Sequence, residues 1–221
     1  MQASKVLQEV DKELYDWCSN RPTVFICLGS NMVYSQENAQ EMLNSICTIL
    51  GIRQDIQVLW KLKKTGDYKL DGIETMGDRL RVVDWLEADP SAILRGGNVV
   101  CFVSHGGSNS YHEALYAGVP QVIMPAWVDC YDFAARLEYF GIGVWGNPMA
   151  SPDCLESELT NALLRVIGRT PDDTQAVLMR NRAQALGRLV SKDYTQEGRD
   201  IAAGHIWGEM QKVKAERLLQ F

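Results

Sequence analysis

The 221-residue chain is 46% hydrophobic and 23% charged, which is the composition of an ordinary soluble globular protein. Its formal net charge of −6 argues against a nucleic-acid partner, because such proteins carry a basic face. No apolar run approaches the roughly 20 residues that span a bilayer. The charged first residues also lack the apolar core of a signal peptide, so neither a transmembrane segment nor secretion is expected.

Strand-length apolar runs alternate with amphipathic stretches over the first two-thirds of the chain. The predicted strands are Thr23–Leu28, Gln57–Trp60, Leu80–Val83, Asn98–Val103, Gln121–Met124 and Gly143–Trp145. The predicted helices among them are Gln36–Leu50, Ser108–Ala117 and Tyr131–Phe140, and Lys63–Asp78 is expected to be a surface loop. This alternation predicts an α/β fold with a Rossmann-like parallel sheet flanked by helices.

After Pro152 the pattern becomes helical, over Leu155–Ile167, Asp172–Leu189 and Gln196–Leu219. We therefore expect one domain, 1–221, with its sheet core at about 17–150 and a helical tail at about 151–221. For Trp207 two interpretations stay open. It is either a core residue or part of an exposed docking surface with Met210, Leu218 and Leu219.

The six cysteines favour a reducing, cytoplasmic setting. No two of them form a C-x-x-C pair, and two lie inside apolar, strand-like runs, where a free thiol behaves as a small hydrophobic side chain. Neither a zinc site nor a disulfide framework is predicted. The cysteines are Cys18, Cys27, Cys47, Cys101, Cys130 and Cys154.

A glycine turn joins the fourth predicted strand to the helix that follows it. Gly106 and Gly107 permit a tight turn and let backbone approach a ligand closely. Ser108 or Asn109 is expected to be the helix N-cap, which leaves backbone N–H groups and the positive end of the helix dipole at the carboxyl edge of the sheet. Such a site suits a phosphate or diphosphate, with His105 as a further donor.

Glu113 lies one turn into this helix, three residues after Ser110, so the two side chains face the same crevice. A carboxylate can accept two hydrogen bonds from a vicinal diol such as ribose. The alternative is that Glu113 only favours the helix dipole, and from the residue alone both interpretations are equally good. The glycine turn is not a G-x-G-x-x-G with a downstream acid, which argues against a nicotinamide or flavin site there.

Phe102 to Asp129, taken as one block, resembles the donor-binding signature of the UDP-glycosyltransferases of glycosyltransferase family 1. The family pattern is H-x-G-x-x-S/T-x-x-E, then G-V-P, then P and D-Q, and nearly all of it stands in the chain. The similarity extends over roughly Trp17 to Asn147. It implies that the chain corresponds to the C-terminal, donor-binding half of a two-domain GT-B enzyme.

The resemblance implies a role for each matching residue. Trp85 would lie against the uracil ring, and Glu113 would accept hydrogen bonds from the ribose hydroxyls. The residues implied to hold the diphosphate are His105, Gly107, Asn109 and Ser110.

Further roles follow on the sugar side of the crevice. Gly29 and Ser30 would line the crevice, and Trp127 and Asp129 would approach the transferred sugar. The family needs no metal, so no metal site and no cofactor beyond the UDP-sugar co-substrate are expected. Two departures stand out: Cys130 replaces the family's Gln, and the Pro-Gln that usually follows Trp85 closely is absent.

The resemblance also implies that an N-terminal acceptor domain is absent from this chain. In the family that domain supplies the catalytic base, so no catalytic residue is expected here, and the chain alone is expected to be inactive. The whole protein would be an inverting enzyme that transfers sugar to a small-molecule or lipid hydroxyl, cytoplasmic or membrane-associated. Two alternatives stay open: a non-catalytic nucleotide-sugar-binding subunit of a partner, and a sugar-nucleotide epimerase of GT-B architecture.

Overall fold

A computed structural model of the chain describes residues 6–96, 98–192 and 198–218. Its centre is a six-stranded sheet in which every strand pairs in parallel with its neighbours, in the order β3-β2-β1-β4-β5-β6. The strands are β1 Thr23–Cys27, β2 Gln57–Lys61, β3 Leu80–Val83, β4 Val99–Ser104, β5 Gln121–Ile123 and β6 Gly143–Trp145. The predicted fold class is confirmed, and all six predicted strands form within one or two residues of their expected bounds.

Helices cover both faces of this sheet and continue after its last strand. The helices are α1 Leu7–Val10, α2 Lys12–Asn20, α3 Gln36–Ile52, α4 Pro90–Gly96, α5 Ser108–Ala117, α6 Val128–Phe140, α7 Glu156–Ile167, α8 Thr174–Lys192 and α9 Gly198–Leu218. Of the nine helices within the described residues, six were predicted; α1, α2 and α4 were not. The outermost predicted residues of α9, at positions 196, 197 and 219, lie outside the described residues.

The stretch Lys63–Asp78, predicted to be a surface loop, is more ordered than expected. A 3₁₀ helix occupies Ile73–Arg79, and Leu70 is buried in the core beside α3. An apolar side chain in a polar stretch can still anchor it to the core. The prediction of a loop is wrong for the part of this segment that the 3₁₀ helix occupies.

Two layers of core enclose the sheet. Alternate residues of a strand point to opposite faces, so Val24 and Ile26 pack beneath α3 and α7, whereas Phe25 packs on the other face with α2 and α4. The rings of Phe25 and Phe102 lie 5.1 Å apart in adjacent strands. β1 is therefore buried on both faces, which explains its unbroken apolar sequence.

Helix α9 contributes little to this core. Trp207 is 62% exposed and Met210 is 58% exposed, so the interpretation of Trp207 as a core residue is wrong. The side chain of Leu218, and all of Leu219, lie outside what the structure describes. None of the helices that the structure describes is long and apolar enough to cross a membrane.

The strand order places the functional crevice. β1 and β4 are neighbours at the centre of the sheet, yet their chains continue toward opposite edges, so the loops that leave them separate. In open parallel sheets, ligands bind at this switch point, outside the carboxyl ends of the strands. The segments that follow Cys27 and Ser104 therefore form the walls of a crevice.

Arg53 connects α3 and α7, two helices that are far apart in sequence. It is 5% exposed, and its guanidinium donates to the backbone carbonyls of Ile167 and Gly168 at the end of α7. The same group makes a two-pronged contact with Asp55, at 2.8 and 2.7 Å. One side chain thus fixes the end of α3 against the end of α7.

We expect Arg53→Met to lower the free energy of unfolding by about 1–3 kcal/mol, because it leaves buried carbonyls without a donor. Urea denaturation measures the loss. Gln54→Met, at the exposed neighbouring position, is the control and should change stability little. Equal stability of the two variants would contradict the bridging role of Arg53.

Candidate functional site

His105 lies at the switch point, where the backbones of two strands approach its ring. A Cβ added to Gly29 would lie 2.8 Å from His105 Cε1, and one added to Gly107 would lie 2.4 Å from His105 Nε2. Both distances are shorter than real Cβ contacts allow. Only glycine at both positions lets the imidazole stand between the loop after β1 and the turn after β4.

The turn itself depends on Gly106. Its φ is +84°, and a Cβ there would lie 2.6 Å from Ile123 Cγ2. The backbone N–H of Gly106 donates to the Ser104 hydroxyl at 3.2 Å, which closes the turn. The chain thus leaves β4 sharply and begins α5 at the edge of the crevice.

The N-cap of helix α5 lies one residue before the earlier of its two predicted positions. Gly107 is the N-cap, so the prediction of Ser108 or Asn109 in that position is wrong. Gly107 has the extended conformation that a cap requires, and no described side chain accepts a hydrogen bond there. The first backbone N–H groups of α5 are therefore left without a side-chain acceptor, at the positive end of the helix dipole.

The environment of His105 favours its neutral form. Burial lowers the pKa of its imidazole below the usual value, and the carboxylate of Asp129 opposes this shift. Its Nδ1 is buried and has no hydrogen-bond partner among the described residues. The ring is 5.5 Å from that of Trp127. An unsatisfied ring nitrogen in a crevice is a position where a ligand can supply the missing partner.

Glu113 extends the crevice toward the end of β1. Burial is the main cause that raises the pKa of its carboxyl, Asp89 raises it further, and Arg95 lowers it. Its charge also acts on Cys27, the last residue of β1. Ser110, one turn earlier on the same helix, is half-buried, and Asn109 is exposed. Glu113 thus lies on the side of α5 that faces α4 and the end of β1.

Trp85 follows β3, at the far side of the crevice. Its side chain is 70% exposed, and the ammonium group of Lys61, at the end of β2, lies 4.9 Å from the centre of its ring. A cation over one face of an indole is a favourable contact. The rest of the indole surface is open for a flat group to stack.

The opposite side of the crevice is built by the start of α6. Trp127 is its N-cap and is 39% exposed, and Asp129 is in its first turn. Cys130 is fully buried, and its backbone carbonyl would lie 3.1 Å from a Cβ on Gly106. The Cys130 side chain is therefore enclosed by protein, next to the turn at Gly106.

Ser30 is exposed at the start of the loop that follows β1. Its carbonyl accepts a hydrogen bond from Lys63 Nζ at 2.9 Å, which links this loop to the segment after β2. Ser30 is thus fixed through its backbone, and its hydroxyl stays available.

The predicted residues therefore follow the carboxyl edge of the sheet in strand order. They are Trp127 and Asp129 after β5, His105 after β4, Gly29 and Ser30 after β1, and Trp85 after β3. Five neighbouring strands span roughly 19 Å, which suits an extended ligand better than a single phosphate. The contacts bring Gly29, His105, Gly107 and Trp127 together directly, and Trp85 stands apart at the other end.

A family model for UDP-glucoronosyl and UDP-glucosyl transferases matches residues 5–176 of the chain. This range covers more than half of the chain and includes the whole crevice. The chain belongs to this family of UDP-glycosyltransferases. The resemblance to the donor-binding half of a glycosyltransferase family 1 enzyme, drawn from the sequence, is thereby confirmed.

Relatives of this UDP-glycosyltransferase chain are substantially longer. Glycosyltransferase sdnJ from Sordaria araneosa is 37% identical over 231 residues, which cover 94% of this chain and 45% of the relative. The 2-hydroxyacylsphingosine 1-beta-galactosyltransferase of Mus musculus is 28% identical over 192 residues, 84% of this chain and 31% of the relative. The chain thus spans less than half the length of these two relatives.

A solved structure supports the fold. The crystal structure of a UDP-glucose: anthocyanidin 3-O-glucosyltransferase in complex with UDP superposes with a TM-score of 0.71 at 20% sequence identity. It covers 89% of this chain, and the chain covers 42% of that structure. The two chains therefore share the fold in spite of their low sequence identity.

Three charged residues at the crevice of this UDP-glycosyltransferase chain were missed from the sequence. They are Lys61, beside Trp85, and Asp89 with Arg95, both of which act on Glu113. Lys61 ends a strand at the same edge of the sheet as the glycine turn. That position in the sequence could have predicted that Lys61 lies at the crevice. Among the residues that the structure describes, no group of three or more His, Cys, Asp or Glu side chains is placed to hold a metal ion.

We expect His105 to titrate below 6.5 in the folded chain, and lower still in Asp129→Asn, which removes the charge that raises its pKa. NMR titration of the imidazole resonances measures both values, and His105→Gln assigns the signal. As the pH falls below 6.5, His105 binds a proton more readily in the unfolded chain than in the folded one. Protonation of this residue therefore lowers the free energy of unfolding. A higher pKa in Asp129→Asn would contradict the arrangement.

Proposed function

We propose that the chain binds a UDP-sugar along the carboxyl edge of its sheet, as the donor-binding half of an inverting glycosyltransferase. One observation carries the proposal: the order of chemical groups along the edge matches the order of parts in the ligand. An exposed indole, a carboxylate, an uncapped helix end with a histidine, and a second carboxylate follow one another. Base, ribose, diphosphate and sugar have the same order.

The diphosphate would lie at the start of α5. Free N–H groups and the helix dipole attract an anion there, and His105 can donate a hydrogen bond from its ring. Asn109 and Ser110 can add side-chain donors from the first turn. The glycine pair at positions 29 and 107 leaves room for phosphate oxygens beside the imidazole.

The uridine would extend from there toward β3. The Glu113 carboxylate can accept hydrogen bonds from both ribose hydroxyls. Trp85 can stack on the uracil with the part of its indole surface that Lys61 leaves open. Stacking on Trp85 does not distinguish one base from another, because it contacts only the face of the ring. Hydrogen bonds from the loop after Trp85 would therefore have to select uracil.

The sugar would lie between Trp127 and Asp129, with its hydroxyls donating to the Asp129 carboxylate. Because Cys130 is buried, sugar selectivity would depend on other groups than the side chain at this position. We propose that glucosyl-type donors are distinguished mainly through Asp129 and the backbone at the start of α6.

In the transfer step, a base removes the proton of an acceptor hydroxyl as its oxygen attacks the anomeric carbon from the face opposite the diphosphate. The bond from that carbon to the diphosphate oxygen breaks, and the electron pair stays on UDP. The α5 N–H groups and His105 would stabilise the charge that develops there, which is electrostatic catalysis by fixed donors. No cofactor is needed in this scheme.

The base and the acceptor site would come from a second domain. The chain spans 45% and 31% of two relatives, so these relatives have room for one. Relatives of the chain are named for an acylsphingosine and for a limonoid, so we propose a small-molecule or lipid hydroxyl as acceptor. The six free cysteines suit a cytoplasmic protein, with membrane association where the acceptor is a lipid.

Titration calorimetry with UDP tests donor binding. We expect His105→Ala and Glu113→Ala each to weaken UDP binding about tenfold or more, because each removes a hydrogen bond to a charged group. His112→Ala is the matched control, since His112 is exposed on the same helix and its Nδ1 lies 2.7 Å from the Ser108 carbonyl oxygen. No binding of UDP at millimolar concentration by the folded chain would refute the proposal.

The pH dependence of UDP binding tests the role of Glu113 separately. Its raised pKa means that the carboxylate takes up a proton above 4.5 and then accepts from ribose only as well as a neutral amide does. We expect the affinity advantage of the wild type over Glu113→Gln to shrink as the pH falls from 7.5 to 5. Protonation of the UDP phosphate affects both proteins equally and cancels in this ratio. A constant ratio would contradict the ribose contact.

A further inference from the structure

A cavity lies at the amino ends of the strands, whereas the donor crevice lies at their carboxyl ends. It is enclosed by the C-terminal ends of α6 and α7, the first half of α8 and the start of β6 at Gly143. Its volume is about 800 Å³, within the range of small-molecule sites. The proposed donor site does not reach this edge.

Three arginines line the cavity: Arg165 in the last turn of α7, Arg169 in the loop that follows, and Arg182 in α8. None of the three guanidinium groups makes an ion pair or hydrogen bond with another residue that the structure describes. The Arg182 side chain lies over Gly141, where a Cβ would come within 2.6 Å of its Nη1. All three arginines are exposed, so an anion from solution can reach their guanidinium groups.

The two carboxylates of the cavity are engaged elsewhere. Glu138 Oε1 accepts from the backbone N–H of Trp145 at 3.3 Å. Asp173 Oδ1 accepts from the backbone N–H groups of Gln175 and Ala176, at 3.1 and 3.2 Å, and so caps α8. Neither carboxylate pairs with an arginine, and the arginines outnumber them, so the cavity keeps an excess of positive charge.

One wall of the cavity is apolar. It is formed by Leu164 at the end of α7 with Leu178 and Met179 of α8. Leu178 is 45% exposed, which leaves apolar surface open to an occupant. A hydrated inorganic ion would use only the arginines, whereas an anion with an apolar body would also cover this wall.

We propose that this cavity binds a small organic anion. Its phosphate or carboxylate group would bind the three arginines, and its apolar body would pack against the apolar wall. Guanidinium groups bind such oxyanions through paired, charge-assisted hydrogen bonds. The site is distinct from the donor crevice, and its occupant can bind together with a sugar nucleotide.

Titration calorimetry with 1-naphthyl phosphate, in the presence of excess UDP, tests this site. Inorganic phosphate and 1-naphthol serve as the two halves of the probe, and each should bind at least about tenfold more weakly than the whole. Arg165→Gln, Arg169→Gln and Arg182→Gln should each weaken binding of 1-naphthyl phosphate about tenfold. Arg188→Gln, an exposed arginine of α8 outside the cavity, has the same charge change and should leave binding unaltered.

Absence of binding, or an equal loss in Arg188→Gln, would overturn the site. Equal binding of inorganic phosphate would overturn the role of the apolar wall. Arg169 lies outside the helices, so its variant keeps the test valid if a helical variant fails to fold, which melting curves report. UDP affinity should be unchanged in all four variants. Failure of UDP to bind would refute the donor site alone. The loss of 1-naphthyl phosphate binding in the three arginine variants locates that anion without reference to UDP.

Discussion

The crevice depends on one close approach: the imidazole of His105 stands between two glycines that come from strands far apart in sequence. A Cβ at Gly29 or at Gly107 would enter the space of the ring. The strand order brings these positions together, because β1 and β4 are neighbours at the switch point of the sheet. The positions of the α5 N-terminus and of Trp127 follow from the same contact, since both adjoin the histidine.

This arrangement sacrifices local stability for binding. Both helices that face the crevice, α5 and α6, begin without a side-chain cap among the described residues. A missing cap costs a helix about 0.5–2 kcal/mol. By contrast α3, at a distance from His105, is capped by Ser35, whose hydroxyl accepts from the Asn38 N–H. Free N–H groups are thus found at the site where an anionic ligand would satisfy them, as expected where function overrides local rules.

Periodicity predicted the elements that are long or buried on both faces, because burial imposes an apolar pattern. It missed α4, Pro90–Gly96, and α1, Leu7–Val10, which are too short to show a helical period. It misplaced the start of α5, because Ser108 and Asn109 are favoured caps by residue type while the turn geometry selects Gly107. The charges around Glu113 and Trp85 were missed for another reason: Asp89, Arg95 and Lys61 approach them through sheet order and loop path, which no local pattern records.

Helix α6 connects the two proposed sites. Its N-terminal end places Trp127 and Asp129 at the donor crevice, and its C-terminal end places Glu138 at the arginine cavity, about 15 Å away. Between them Cys130, Ala134 and Leu137 are fully buried against the sheet. Because these residues are close-packed, they hold both ends of α6 in fixed positions against the sheet. The two proposed sites therefore lie at opposite ends of one helix, and each keeps its own set of ligand-binding groups.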